Sequence, residues 1–456
     1  MAALNAHRGT SAERLIVGLR GAVLGGDEAA WLEYYRPAGV ILFGRNVVDL
    51  SRLQNLCADV RRILGQHCEI VADHEGGPVS VLAAAVGRPP AAASLGALND
   101  PDLTERVHRD TGSLLSAAGV DRALAPCCDV LSEPRNAVIG ARSFGADPGR
   151  VAAHVGAAVR GLIAGGVRSC PKHWPGHGGT RIDTHLDGVL RAVTPDFSIY
   201  AAAVGQGADA VMVGHLPLTD GGVPASLDRG ALDLVADRFP GAATWSDDMT
   251  MAAVRNCLVA RTGEDPGGQG MVETDHYPAS WLDEAARHCG RLLIRGIPWR
   301  ALPLDVARDT ASAAPPWAAT AVDEPESWRE ARQRGVDRPL DRNASVCWLD
   351  FTDDHRWGAL ARDALDRAGH VGVVRRARSG ESLDPLGAGE VLLVTSHRPL
   401  AGQEVAWLGG ATGGGQVLVL GHPTLAADLA SELPEIHHLS AGYDASVEEL
   451  AAWFGR

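Results

Sequence analysis

From Lys172 to His185 the chain reads KHWPGHGGTRIDTH, bringing Lys172, His173, His177 and His185 together with one carboxylate, Asp183, in a glycine-studded stretch. Pro175, Gly176, Gly178, Gly179 and the later Gly188 break regular structure. Turns of this kind hold polar side chains over a pocket on a rigid scaffold. The preceding GVRSC, residues 166 to 170, reads as a short buried strand. Lys172 and His173 are therefore expected at its C-terminal end, where parallel α/β folds place their chemistry. In Asp183-x-His185 the carboxylate can fix the imidazole tautomer and stabilise the imidazolium, which suits a general acid and base working near neutrality. Alone, such a triplet is weak evidence, because a surface or turn role is commoner. A second acidic pair, Asp247 and Asp248, comes after the apolar run at 242 to 245. His173 and His177 lie four apart, but Pro175 and Gly176 between them prevent a helix from presenting both to one ion. No acidic ligand is spaced to complete such a site, so neither a metal nor another cofactor is predicted.

The elements that must position these residues alternate short apolar runs with helix-length amphipathic segments, the pattern of repeated β-α units around a parallel sheet. The strands expected are 15–18, 39–43, 69–72, 122–125, 166–170, 208–213 and 242–245. Polar residues follow several of them: Asp73, His74 and Glu75 after the third, Asp129 beyond the fourth, Lys172 and His173 after the fifth, His215 after the sixth, Asp247 and Asp248 after the seventh. They converge on one rim, as at the C-terminal face of a barrel. No eighth strand is legible, because the chain turns irregular around RTGEDPGGQG. The predicted fold is α/β: a TIM-barrel-like (β/α)8 domain over 1–300 with an irregular last unit, a linker over 301–343 rich in Pro, Ala and Asp, and a smaller α/β sandwich-like domain over 344–456. In the last, strands are expected at 345–351, 371–374, 390–395 and 416–420, with a helix at 357–368. The turn GGATGGG lacks the Lys-Ser/Thr ending of a P-loop and the spacing of a dinucleotide fingerprint, so it reads as a connection. RRAR at 375–378 reads as a solvated face.

The 456 residues carry a net charge of −14, which argues against a nucleic-acid partner, since a phosphate backbone calls for a basic surface. No apolar run reaches the 18 or so residues of a membrane span, so no membrane partner is expected. The N-terminus lacks the charge and apolar pattern of a signal peptide, which predicts a cytoplasmic location. Eight scattered cysteines form no C-x-x-C pair and read mostly as small buried hydrophobes.

KHWPGHGGTRIDTH, with ADHEGG at 72–77, VILFGRN at 40–46, VIGARSFGADP at 138–148 and SDDM at 246–249, resembles family 3 glycoside hydrolases, and within them the NagZ-type β-N-acetylhexosaminidases. The resemblance runs in order from about residue 12 to 252. It implies a carbohydrate or glycoconjugate substrate and a retaining mechanism, with Asp247 as nucleophile, His185 as general acid/base and Asp183 as its orienting partner. Asp73, Arg142, Lys172 and His173 match positions that hold sugar hydroxyls and the acetamido-bearing ring. For Arg142 a salt bridge tying down its loop is nearly as strong a reading. Asp248 reads as a cap on the following helix. His177 and Asp129 are expected to hold the loop and rim. His215 is a candidate for the pocket wall or a hydrogen-bonded core histidine.

The chain departs from the family after ADHEGG, where Pro78, Val79, Ser80 and Val81 stand in place of arginines that include a substrate contact. Gly179 replaces the usual aspartate after GHG, and Trp174 the usual phenylalanine. Three hypotheses remain open: a retaining β-glycosidase acting on N-acetylglucosamine or a related sugar, a β-glycoside phosphorylase in which a histidine acid/base repels phosphate less than a carboxylate would, and a non-catalytic sugar-binding protein.

Overall fold

A computed structural model describes residues 12–133, 136, 138–180, 192–265, 276–286, 289–298, 302–304 and 324–334, and strands at 345–350, 374–378, 390–396, 416–421 and 436–438. Eight short parallel strands form the first unit. They are β1 (Leu15–Gly18), β2 (Gly39–Leu42), β3 (Glu69–Ala72), β4 (Arg122–Ala123), β5 (Arg168–Ser169), β6 (Ala210–Val213), β7 (Ala243–Ser246) and β8 (Leu292–Ile294). Six lie in the order β8-β1-β2-β3-β4-β5, and β6 pairs with β7. Parallel bridges between Trp174 and Val213 and between Trp245 and Arg291 join the two sets, so the ring closes. The eighth strand that the irregular stretch conceals is thus Leu292–Ile294, three residues that pair with Leu15, Ile16 and Val17 of β1.

Closure explains why the strands read as continuous apolar runs: both faces are buried. Ile16, Ile41, Val71, Leu124, Cys170, Met212, Trp245 and Leu293, one from each strand or the residue just beyond it, pack with Ala210 into the interior. Their neighbours, such as Val17, Val40, Leu42 and Ile70, pack outward under the helices. A barrel filled in this way is a packed core.

The sequence starts several outer helices with an acidic cap. Asp100 accepts from the Leu103 amide ahead of Pro101–Ala118, and Asp147 from the Arg150 amide ahead of Pro148–Ala164, with proline in the first turn of each. A cap of this kind stabilises by about 1 kcal/mol, and proline costs little there because its missing N–H has no intrahelical partner. Gly119, at φ 94°, ends the first of these helices in the left-handed region that favours glycine.

Beyond β8, Trp31 Nε1 donates to the Leu302 carbonyl (2.9 Å) and the Tyr35 hydroxyl to that of Pro303 (2.8 Å), tying the strand's exit to helix Gly26–Tyr35. Within the stretch read as linker, Glu326–Arg334 is a helix docked on Pro101–Ala118: Trp328 is buried, its Nε1 donates to the Val107 carbonyl (3.2 Å), and Arg106 pairs with Glu330 (2.8 Å). The C-terminal unit is a parallel five-stranded sheet of β9 (Ser345–Asp350), β10 (Val374–Arg378), β11 (Glu390–Ser396), β12 (Gln416–Gly421) and β13 (Ile436–His438), in the order β10-β9-β11-β12-β13. RRAR therefore lies in β10, the strand at one end of the described sheet. The strand lies later than the 371–374 expected for it. The helix expected at 357–368 and the GGATGGG turn fall outside the described residues.

Candidate active site

The C-terminal ends of the strands surround a cavity of about 310 Å³. Its deepest polar layer comes from β3 and β5. Asp73 follows β3 directly, and the turn into the small hairpin of His74–Gly76 and Val79–Ser80 carries Glu75. Lys172, just past β5, reaches across and lies 2.5 Å from both Asp73 Oδ1 and Glu75 Oε1. Arg142 donates Nε and Nη2 to the two oxygens of Glu75, each at 2.9 Å, a bidentate pairing. Burial would raise the Glu75 carboxyl, but Arg142 and Lys172 bring it down to about 2. Burial would likewise lower the Lys172 ammonium, and Asp73 with Glu75 more than reverses this. Glu75 and Lys172 are thus both ionised at neutral pH.

His173 stands beside it. Its Nδ1 lies 2.7 Å from Asp129 Oδ2, and its Nε2 3.2 Å from Arg142 Nη2. An ionised carboxylate only accepts and a guanidinium only donates, so these partners make Nδ1 the donor to Asp129 and Nε2 the acceptor from Arg142. Asp129 is a buried hub that also accepts from the His177 amide (2.6 Å) and from the Cys127 thiol (3.1 Å). Burial would raise its carboxyl, and His173 and His177 hold it below the ordinary range. The glycine after His177 has a steric reason: a Cβ on Gly178 would lie 1.9 Å from the Val130 carbonyl oxygen. Cys127, Asp129 and His173 also bring three ligand types within 4.8 Å of one another, a set able to hold a soft divalent ion. In space, then, an acidic group does join His173, which the spacing in sequence did not suggest. Protons on the thiol and imidazole join the three groups here.

The opposite wall is β7 and the turn at its C-terminal end. The Asp247 amide donates to the Val213 carbonyl (3.0 Å), fixing the residue at the strand end, and the Asp248 amide donates to Asp247 Oδ1 (2.7 Å). Among the described residues Asp247 Oδ2 has no protein partner, and the side chain lines the cavity. Burial would raise this carboxyl, but His173, His215, the Asp248 amide and Lys172 together hold it well below the carboxylate range. It is an ionised, preorganised carboxylate with one oxygen available.

Asp248 does not share that state. Its Oδ1 accepts from the Thr250 amide (3.0 Å) and hydroxyl (2.7 Å), and its Oδ2 from Arg295 Nε (3.0 Å). It caps the turn at Thr250 rather than the helix itself, which starts at Ala252 after Met251. His215 is 1% exposed, within hydrogen-bonding distance of Ser226 Oγ (2.8 Å) at Nδ1 and the Asp248 carbonyl (3.0 Å) at Nε2. It is absent from the residues lining the cavity. The substrate-binding assignment of His215 is therefore corrected to a buried support behind Asp247, because both ring nitrogens are engaged by the protein.

The structure thus brings Asp73, Arg142, Lys172, His173 and Asp247 around one cavity. Arg142 serves both of its readings, since it lines the cavity while paired with Glu75. Asp183 and His185 lie outside the described residues. Sequence reasoning placed Glu75 on the rim without giving it a role in the site, and it missed Arg295. ADHEGG offered a signal for the first, a carboxylate two residues from Asp73 and so on the same side of an extended chain. Nothing marked Arg295, because its strand was not legible.

The model of the glycosyl hydrolase family 3 N-terminal domain matches residues 20–262. A β-hexosaminidase of Xylella fastidiosa (strain M23) is 33% identical over 256 residues, covering 53% of this chain and 76% of that protein. The structure of a family 3 β-N-acetylglucosaminidase from Paenibacillus sp. FPU-7 superposes with a TM-score of 0.74 over 98% of this chain and 95% of that one, at 19% identity, a likeness of fold across both units. NagZ of Neisseria gonorrhoeae superposes with a TM-score of 0.52 at 27% identity, over 63% of this chain and 82% of that one. A match of this extent, with the cavity built from the same motifs, establishes that the chain belongs to glycosyl hydrolase family 3.

Proposed function

We propose that the protein is a retaining β-glycosidase that removes a terminal β-linked N-acetylglucosamine or a related amino sugar. The observation that carries this reading is Asp247: a half-buried carboxylate held ionised, pinned at one oxygen, with the side chain lining a cavity beside charged hydrogen-bonding groups. Its Oδ2 attacks the anomeric carbon as the bond to the leaving oxygen breaks. The departing electron pair takes a proton from the His185 imidazolium, which Asp183 orients, and a glycosyl ester on Asp247 results. Water then gives a proton to His185 and attacks the same carbon as the bond to Asp247 breaks and frees its carboxylate, and two inversions retain configuration. Asp73, Arg142, Lys172 and His173 bind the sugar ring, the imidazole being fixed in place by Asp129 and Arg142. The roles of Asp183 and His185 rest on the family motif. The amino-sugar assignment rests on relatives named for β-hexosaminidase and β-N-acetylglucosaminidase activity.

The test is nitrophenol release from a panel of nitrophenyl β-glycosides, with and without phosphate, by wild type and Asp247→Ala. Turnover of the N-acetylglucosaminide that needs no phosphate and vanishes in the variant is expected. Strong acceleration by phosphate would instead indicate phosphorolysis, and sugar binding without turnover a non-catalytic protein.

A further inference from the structure

The hairpin and the residue after it contribute Val79 and Val81 to the cavity lining, two aliphatic side chains with no polar atoms to offer. Arg295, which follows β8 directly, lines the same cavity with its side chain 44% exposed. Arg295 Nε is engaged by Asp248 Oδ2 (3.0 Å), and the guanidinium carbon lies 5.8 Å from the centre of the Phe43 ring, so the group is held from two directions. Arg45, whose guanidinium lies 4.4 Å from the same ring, donates to the Arg295 carbonyl (2.6 Å) and steadies the backbone there. The two Nη groups of Arg295 have no protein partner among the described residues. That leaves a fixed pair of parallel N–H donors, the fork that matches a planar carboxylate. Asp248 joins this fork to the reacting centre, since its amide holds Asp247 Oδ1 at 2.7 Å. The sugar ring must place its anomeric carbon over Asp247 and its hydroxyls against the buried Asp73–Lys172 layer. A half-exposed group flanking the nucleophile at the mouth therefore meets the substituent attached to the anomeric carbon.

We propose that Arg295 is a specificity-determining residue that selects substrates whose leaving group carries a carboxylate. This rests on the reading of Asp247 as nucleophile, which orients the substrate in the cavity. Such a group, docked end-on by two charge-assisted hydrogen bonds, gains from a cation that a neutral leaving group cannot use.

The experiment uses two nitrophenyl β-N-acetylglucosaminides that differ only in a ring carboxylate or its uncharged carboxamide match, with the full chain, Arg295→Gln and Arg295→Lys. The quantity read is the ratio of kcat/KM for the two substrates, which cancels any loss common to both. The wild type is expected to prefer the carboxylate by about tenfold at low salt. The preference should shrink with added salt, survive in part in Arg295→Lys and fall to about one in Arg295→Gln. A wild-type ratio near one, or a preference that Arg295→Gln leaves intact, overturns the proposal. Saturable acceleration of the carboxamide substrate by inorganic phosphate, lost in Arg295→Gln, also overturns it by assigning the guanidinium to phosphate. If neither glycoside turns over, the nucleophile reading fails separately. The same ratio taken from calorimetric dissociation constants on the same proteins then decides the arginine.

Discussion

At the N-terminal end of the barrel strands Arg122 donates Nε to Glu69 (2.9 Å), Nη1 to the Ser169 carbonyl (2.8 Å), and Nη1 and Nη2 to the two oxygens of Asp209 (2.5 and 3.2 Å). Its guanidinium also lies 5.1 Å from the centre of the Trp245 ring. At the C-terminal end Lys172 and Arg142 share Asp73 and Glu75 at similar distances. Both ends bury cations among carboxylates, so ion pairing by itself does not mark a site. The difference lies in what is left over. Below, the indole of Trp245 fills the interior and the charges serve each other. Above, the same kind of pairing borders a cavity, and Asp247 keeps one oxygen without a protein partner among the described residues. The lower network closes the barrel, and the upper one prepares a surface for a ligand.

Acid separates the two ends and is expected to have the largest effect. Burial foremost lowers His74 to about 3 and His177 to about 4, and it lowers His108, in the helix layer, to about 4. Each is depressed below its unfolded value near 6.5, so the unfolded chain binds more protons between those limits. Stability is full above about pH 6.5 and falls as pH drops toward 4. Each unit of depression is worth about 1.4 kcal/mol. Glu75, depressed to about 2, adds a loss that begins below about pH 4.5. The urea midpoint measured from pH 7.5 to 4 should fall steadily. A flat profile would mean that these histidines are solvated in the native protein.

Removing a single cation sharpens the comparison. Lys172→Met leaves Asp73 and Glu75 short of a buried partner and should cost about 3–5 kcal/mol in urea unfolding. It should also lower kcat/KM on an aryl glycoside by at least about 100-fold, since Lys172 lines the cavity that holds Asp247. Arg122→Met should cost about 3 kcal/mol through the uncompensated Glu69 while kcat/KM per folded molecule stays within about twofold. Equal activity losses in the two variants would erase the distinction between the ends. Arg168→Gln is the smallest change. That side chain is 45% exposed and pairs with Glu69 at 3.4 Å, so a loss under about 1 kcal/mol is expected.

Most of this architecture was legible because parallel strands buried on both faces write themselves as apolar runs, and seven of them were read within two residues of their ends. β8 was not legible. Three residues, Leu292 to Ile294, give too little periodicity to stand out, and only closure against β1 makes them a strand. The missing strand hid Arg295 as well. Asp73, Lys172, His173 and Asp247 were legible from their places after strands, since barrel topology turns those places into one rim. His215 sits at an equivalent place, yet it points into the protein because Ser226 and the Asp248 carbonyl take both nitrogens, partners no spacing rule reveals. The thiol of Cys127 against Asp129, two residues on, is likewise set by a choice of rotamer that no spacing rule reveals.

The central claim is that the available oxygen of Asp247 becomes covalently bonded to the sugar. The direct measurement is to incubate the protein with a 5-fluoro glycosyl fluoride of N-acetylglucosamine, which slows release of the intermediate, and to analyse it by intact and peptide mass spectrometry. The account predicts one added glycosyl unit on the peptide containing Asp247, absent in Asp247→Asn. A label on Asp248 or another residue, or turnover of the reagent with no ester in the wild type, would contradict it.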